Sequence, residues 1–223
     1  MRAFRRVMPE DVPCLLEISR KELGCDYLSE KDFMEVSGPG PCFCNVAIQD
    51  GLPVGFAICQ VFGPGEEGAR LGLPDGFERD LVLSSRRIGL LDSMAVAESV
   101  KGTGVGTLLC ERSVKDMKES GCDLVCAMAW KSAGGRTNIS GILTRMGMKE
   151  SISIEGYWNR MVSSPEGHHC PECGAPCRCY GVFWYKRLRL TCVHSFCFNR
   201  SQTNRTAARL ADGPRSEPWL CNI

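Results

Sequence analysis

The sequence predicts an α/β (α+β) protein, a mixed sheet flanked by helices, with a short cysteine-rich loop inserted near the end of the sheet. Leu90 to Gly121 carries most of that expectation, reading as a buried strand, a glycine-rich turn and an amphipathic helix. Upstream, the apolar runs Cys42–Ile48 and Pro53–Phe62 are joined by Gln49-Asp50-Gly51-Leu52, and Asp-Gly between apolar runs signals a hairpin. Downstream, Cys170, Cys173, Cys177 and Cys179 fall within ten residues between two strand-like segments.

In chain order, Arg2–Val7 alternates as a first strand. Pro9, Glu10 and Asp11 start a helix, their acids at the positive end of its dipole. Val12, Leu15, Leu16, Ile18 and Leu23 follow at helical spacing until Gly24. Ser29 with Asp32 forms an imperfect capping box for a short second helix, and Gly38-Pro39-Gly40-Pro41 then breaks the chain before the hairpin. Gly63–Arg87, rich in glycine, proline and charge, reads mostly as loop, either the wall of a cleft or a mobile excursion. In the central strand Ile88, Leu90, Met94 and Val96 share one face and Leu91, Ala95 and Ala97 the other; apolar character on both faces marks a strand inside a sheet. Leu108, Leu109, Cys110, Val114 and Met117 line one side of the next helix, which Gly121 ends. Leu124–Trp130 is another buried strand, reached by a right-handed crossover. Thr137 or Asn138 caps a helix bearing Ile139, Ile142, Leu143 and Met146, ended by Gly147. Ser151–Tyr157 and Gly181–Leu188 are the last two strands. Residues 1–190 thus form one domain, with the cysteine-rich insertion at 168–180. The polar, aperiodic stretch 191–223 reads as a disordered tail.

A length of 223 residues suits one domain with an appendage. The net charge of +1 offers a polyanion nothing, so nucleic acid is not an expected partner. No apolar run approaches the roughly 20 residues of a membrane-crossing helix. The basic start, MRAFRR, has no apolar stretch behind it, so a secretory signal is not expected either. The expected location is cytoplasmic. The fifteen cysteines then read as reduced thiols rather than a disulfide framework, and singles such as Cys59, Cys110 and Cys126 as small hydrophobes.

Lys101-Gly102-Thr103-Gly104-Val105-Gly106 places three glycines where strand becomes helix. Glycine admits positive φ and close approach of a ligand to the backbone. The amides there, with the first free N–H groups of the helix, suit a pyrophosphate. Neither a Gly-Lys-Ser/Thr loop nor the dinucleotide G-x-G-x-x-G spacing is present. The stretch resembles instead the GCN5-related N-acetyltransferase (GNAT) superfamily, whose signature is Gln/Arg-x-x-Gly-x-Gly/Ala after a strand ending in Val. Here it stands as Lys101-x-x-Gly104-x-Gly106 after Leu91-Asp92-Ser93-Met94-Ala95-Val96, with lysine at the first position. The order of elements agrees over residues 1 to about 190.

That resemblance implies a mostly antiparallel, splayed sheet and acetyl-CoA as co-substrate. Met94, Ala95 and Val96 would face the pantetheine arm and the acetyl carbonyl. The amides of Lys101, Gly102, Thr103, Gly104, Val105, Gly106 and Thr107 would hold the pyrophosphate, and Asn138 would touch the cofactor. The chemistry implied is attack by an amine on the thioester, which needs a base for the ammonium proton and an acid for the thiolate. Asp92, a lone carboxylate on an apolar strand, is the base candidate, because burial would raise its pKa; a hydrogen-bonded structural Asp is the alternative. The family's acid, a Tyr four residues before the Gly of a Tyr-x-x-x-Gly-Phe ending, is absent, since Leu143 stands there and Met148 replaces the Phe. Tyr157 is the candidate substitute, with Tyr185 and a bound water as alternatives.

Cys170-Pro-Glu-Cys173-Gly-Ala-Pro-Cys177-Arg-Cys179 resembles a zinc knuckle and predicts a closed, structural Zn2+ site, with a redox or metal-responsive switch as the opposing view. The segment also resembles a cysteine-rich insertion found before the last strand in a microbial subset of acetyltransferases. The expected partners are acetyl-CoA and an amine, with a homodimer left open, and neither nucleic acid nor membrane. The expected activity is acetyl transfer to a primary amine of a small molecule. A peptide or protein acetyltransferase, or a non-catalytic acetyl-CoA or metal sensor, are the alternatives.

Overall fold

Among the described residues, alternating and continuous apolar runs become seven strands: β1 (Arg2–Arg6), β2 (Cys42–Gln49), β3 (Leu52–Phe62), β4 (Ile88–Val96), β5 (Leu124–Lys131), β6 (Lys149–Glu155) and β7 (Tyr180–Arg187). Between them lie helices α1 (Val12–Glu22), α2 (Glu30–Glu35), α3 (Phe77–Leu83), α4 (Val105–Glu119) and α5 (Ser140–Arg145). The computed structural model describes residues 2–25, 27–63, 65, 71–135, 137, 139–160, 169–170 and 172–188. The tail expected at 191–223, and Asn138, lie outside the described residues. The strands form one sheet in the order β1-β2-β3-β4-β5-β7-β6. Only β4 and β5 run parallel; every other neighbouring pair is antiparallel.

Local signals set several boundaries. Asp50 and Gly51 turn the β2–β3 hairpin with φ of 52° and 84°, the left-handed pair that a two-residue hairpin turn requires. At α2 the Asp32 carboxylate accepts from the Ser29 N–H at 2.7 Å, and the Ser29 hydroxyl accepts from the Asp32 N–H, which completes the capping box.

The two faces of the sheet carry different layers. Ala57 and Cys59 of β3, Val125, Ala127 and Ala129 of β5 and Trp184 of β7 bury against Leu109, Cys110 and Met117 of α4 and Leu143 of α5. On the opposite face, Phe56 and Ile58 meet Leu15 and Ile18 of α1 and Phe33 of α2. Leu124, Cys126 and Phe183 on that same face meet Leu81 and Val82 of α3, together with Trp158 and the cysteine loop. A polar clasp ties α4 to the sheet: buried Asp116 accepts from Asn45 at 3.0 Å and pairs with Arg6 at 3.1 Å and Arg112 at 2.9 Å.

Two expectations need correction and one gains a detail. Within Gly63–Arg87, expected to be mostly loop, lies α3, which buries Leu81 and Val82; a single seven-residue helix between glycines and prolines shows too little periodicity to be read. Tyr157 does not lie in a strand, because β6 ends at Glu155 and Tyr157–Arg160 is a 3₁₀ turn. Nor does β4 alternate regularly. Ile58 pairs with Ser93 and Cys59 with Leu91, leaving Asp92 as the extra residue of a bulge. Ile88 and Leu90 therefore pack on one face, whereas Met94 and Val96 join Leu91 in the cluster around α4.

Helix α4 lies close on β4 because Gly89 has no side chain. A Cβ there would stand 2.5 Å from Met117 Sδ and 2.9 Å from Met117 Cβ, and Met117 is fully buried. We expect Gly89→Ala to destabilise the fold by about 1–3 kcal/mol, the usual cost of overpacking a core, measured by urea unfolding. An unchanged midpoint would mean that α4 shifts freely on the sheet.

Candidate active site

The site begins where two parallel strands part. β4 and β5 are in register from Ile88↔Leu124 to Leu91↔Ala127, and no pairing follows. Beyond that point β4 stays with β3 up to Val96, and β5 stays with β7 up to Lys131. The opening between them is a cleft of about 760 Å³. Leu91 to Val96 line it on one side and Ala127 to Trp130 on the other.

At one end stands the N-terminus of α4. Its cap is Gly104, at a left-handed φ of 87°, and no side chain caps the helix. Gly102 also has positive φ, 75°. Gly106 lies in the first turn, where a Cβ would meet Ile142 Cδ1 of α5 at 3.2 Å; a larger residue would crowd α5. The turn therefore exposes backbone amides at the positive end of a helix dipole, the arrangement that binds a phosphate.

Of the residues expected to bind the cofactor, Met94, Ala95, Val96, Lys101, Gly102, Gly104, Gly106 and Thr107 line the cleft. Val105 is buried beneath the turn, and the Thr103 hydroxyl donates to the Val100 carbonyl at 2.8 Å. The Lys101 ammonium is shared by two carboxylates, Glu22 at 2.7 Å and Glu98 at 2.5 Å. Its charge is thus largely balanced within the protein, and the anion-binding character of this end rests on backbone amides.

Asp92 lines the cleft at the point where the strands separate. As the bulge residue it leaves the regular alternation, a common way of aiming a side chain into a site. Burial pushes its pKa up to about 7, against a hydrogen bond from the Ser93 hydroxyl at 3.1 Å that favours the charged form. A carboxyl with that value exchanges protons near neutrality, as a general base must. Tyr157 is placed differently. Its ring is buried, its hydroxyl donates to the Leu71 carbonyl at 3.0 Å, and it is not among the cleft-lining residues. The tyrosine that does line the cleft is Tyr27, in the connection between α1 and α2. Its pKa is raised by burial and by the nearby Asp92 carboxylate. Sequence reasoning missed Tyr27, as it missed Arg145, Trp158 and Glu172, which also line the cleft. Glu172 stands inside the cysteine motif and the other three in no motif, and only the fold brings them to the cleft.

The cysteine loop leads into β7. The Sγ atoms of Cys170, Cys173, Cys177 and Cys179 all lie within 4.8 Å of one another, with separations of 3.8 Å (Cys170–Cys179), 3.9 Å (Cys173–Cys177) and 3.6 Å (Cys173–Cys179). Four thiolates around a tetrahedral Zn2+ with bonds of about 2.3 Å stand about 3.8 Å apart, so this donor set fits that ion. Backbone groups brace the sulfurs: the Arg178 amide donates to Cys173 Sγ at 3.2 Å and the Cys179 amide to Cys177 Sγ at 3.4 Å. Burial opposes ionisation of Cys173, yet the Arg178 amide and the neighbouring thiols outweigh it and lower its pKa. Asn159 anchors the loop, donating to the Cys177 carbonyl at 2.7 Å and accepting from the Cys177 amide at 2.8 Å.

Comparison with known proteins agrees with this geometry. The family model described as "Acetyltransferase (GNAT) family" matches residues 9–132, from the turn before α1 to the end of β5. No curated protein matches the sequence. Among solved structures, the chain is similar to ribosomal-protein-alanine N-acetyltransferase from Brucella melitensis, at 19% identity and a TM-score of 0.55, over 83% of this chain and 99% of that one. It is similar to Arabidopsis thaliana NAA60 in complex with a bisubstrate analogue, at 15% identity and a TM-score of 0.60, over 86% of this chain and 100% of that one. It is also similar to IAA acetyltransferase from Bacillus cereus, at 15% identity and a TM-score of 0.55, over 84% of this chain and 100% of that one. At such identities the likeness is one of fold. The family match takes in both strands that open the cleft, the glycine turn and the helix behind it, and on that ground the chain belongs to the GNAT family of acetyltransferases, enzymes that take their acetyl group from acetyl-CoA.

Proposed function

We propose that the protein transfers the acetyl group of acetyl-CoA to a primary amine of a small molecule, by direct attack within a ternary complex, with Asp92 as general base. The observation that carries this reading is the place of Asp92: a bulge residue at the fork of β4 and β5, lining the cleft, with its pKa pushed up to about 7. Amides of residues 101–107 hold the pyrophosphate, and the backbone of Met94 to Val96 lies along the pantetheine arm. The ammonium proton passes to Asp92. The amine nitrogen then bonds to the carbonyl carbon as the C–S bond breaks, and the second proton that the nitrogen sheds passes by way of water to the departing thiolate. Tyr27, kept protonated by its raised pKa, lines the same cleft. A protein or peptide acceptor is the second reading, favoured by the likeness to ribosomal-protein-alanine N-acetyltransferase from Brucella melitensis.

The four cysteines, in the same reading, hold one structural Zn2+. Four thiolates leave no open position for chemistry, so the ion cross-links the loop to β7. No helix among the described residues is long and apolar enough to cross a membrane. A cytoplasmic place of action belongs to this reading and is supported by the high count of thiols, which stay reduced there.

Acetyl-CoA binding, followed by thiol release over amines, amino acids and peptides, tests the reading directly. Binding with no turnover on any acceptor would make the protein a sensor, and absence of binding would remove the activity altogether. Asp92→Asn should lower kcat/KM about a hundred- to ten-thousandfold and abolish the rise of rate with pH through about 7; an unchanged pH profile would exclude Asp92 as base.

The same substitution has a consequence for stability. The folded-state pKa of Asp92 lies above its unfolded value, so the native state favours the protonated carboxyl and loses stability as pH rises from about 4 through 7. Asp92→Asn should therefore be more stable than the parent at pH 8, with the gap narrowing by about 1–2 kcal/mol toward pH 5 after allowance for solvent in the cleft. Thermal unfolding at the two pH values would show this, and a gap independent of pH would mean that the carboxylate is not desolvated. Metal analysis should find about one zinc per chain, lost together with thermal stability in Cys173→Ser/Cys177→Ser. Metal-free protein of equal stability would end the zinc assignment.

A further inference from the structure

Two neighbouring side chains of β4 meet, which a regular strand does not allow. Successive side chains of a strand point to opposite faces, yet the Ser93 hydroxyl donates to Asp92 Oδ2 at 3.1 Å. The bulge is the reason, since Asp92 is its extra residue and the alternation slips there. Leu91 and Met94, on either side of the pair, both pack in the cluster around α4. Asp92 and Ser93 turn together toward the other face, where α1 and its connection to α2 lie. Tyr27 stands in that connection and is hydrogen-bonded to the Ser93 side chain. All three residues line the cleft, and Ser93 is buried.

We infer that Ser93 is a positioning residue for the acetyl transfer: its hydroxyl accepts a hydrogen bond from Tyr27 and donates one to Asp92, and so holds that carboxylate ready for the ammonium proton. The inference rests on the reading of Asp92 as general base. A serine hydroxyl has one proton to give. With that proton directed at Asp92 Oδ2, the Ser93 oxygen accepts from Tyr27, whose hydroxyl stays protonated. A hydrogen bond to the charged form favours it, and donors joined in a chain strengthen one another. The other groups around Asp92 supply no such support. Cys59 of β3, Cys126 of β5 and Tyr157 of the 3₁₀ turn are neutral, their ionisation opposed by burial. Asp32 of α2 is an acid whose charge opposes ionisation of Asp92. Among the described residues no cation pairs with Asp92. Its charged form therefore depends on the Ser93 hydroxyl.

The test reads the carboxyl itself, so that no acceptor is needed. Full-length protein carrying carbon-13 at the aspartate carboxyls is titrated by NMR, with Asp92→Asn identifying the Asp92 signal. Ser93→Ala should move the midpoint upward by about one pH unit or more, the scale of one hydrogen bond to a charged group. Ser93→Thr, which keeps the hydroxyl, should return it toward the parent value. Tyr27→Phe should move it upward by less, because Ser93 keeps its own bond and loses only the donor behind it. That variant leaves the strand untouched and decides the matter where Ser93→Ala does not fold. A midpoint unmoved by Ser93→Ala or by Tyr27→Phe, or moved as far by Ser93→Thr as by Ser93→Ala, would overturn the assignment. An Asp92 carboxyl that does not titrate near 7 in the parent protein would instead remove the base reading beneath it.

Discussion

The separation of β4 from β5 is the constraint on which the rest of the molecule depends. Two parallel strands held in register from Ile88 to Leu91 lose contact after the Leu91↔Ala127 pair, and the backbone beyond it on both sides faces a cleft instead of a neighbour. Buried peptide groups need partners, so strand edges turned into a cavity are ready to pair with an amide-bearing ligand laid between them. The bulge at Asp92 falls at the same point. One irregularity therefore re-aims Met94 and Val96 toward α4 and leaves a carboxyl at the apex of the fork. Helix α4, seated against Gly89 by Met117, then points its N-terminus at the other end of the opening.

Charge in the cleft is arranged around that geometry. At the glycine turn Lys101 is paired with Glu22 and Glu98, so the positive potential there comes from the helix dipole rather than from a side-chain cation. A helix start at Gly104 without a side-chain cap leaves amides without a side-chain partner, at a cost of roughly a few tenths of a kcal/mol for glycine at the cap and with an advantage where an anion is to be bound. Asp92 is the opposite case, a group whose desolvation destabilises the native state at neutral pH while bringing its protonation into the useful range.

Most of the framework was legible in the residues. The Asp50-Gly51 hairpin, the Ser29 capping box and the strand–turn–helix from Leu90 to Gly121 each announce themselves through local chemistry, and local chemistry is what sequence patterns record. The bulge at Asp92 was not legible, because a run of apolar residues buried on both faces looks the same with or without one extra residue. Helix α3 was hidden by its brevity. Tyr157 had the right residue type for an acid, but only the fold shows its hydroxyl committed to Leu71. Tyr27, Trp158 and Glu172 come from a connection, a 3₁₀ turn and the cysteine loop, and no spacing rule joins such distant segments.

The halves of the cleft differ in how they are built. The half from β4 through the glycine turn into α4 lies wholly within the stretch matched by the family model and presents backbone groups, which tolerate changes of side chain. The other half takes Trp158 and Glu172 from segments beyond that match. There the cysteine loop is fixed partly by packing, with Cys170, Cys177 and Cys179 buried beside Trp158 and Phe183, and partly by local bonds: four sulfurs within 4.8 Å of one another and the Asn159 side-chain amide bonded to both the N–H and the carbonyl of Cys177. A loop held in this way carries side chains to the rim of a cleft where a packed helix or strand would close it.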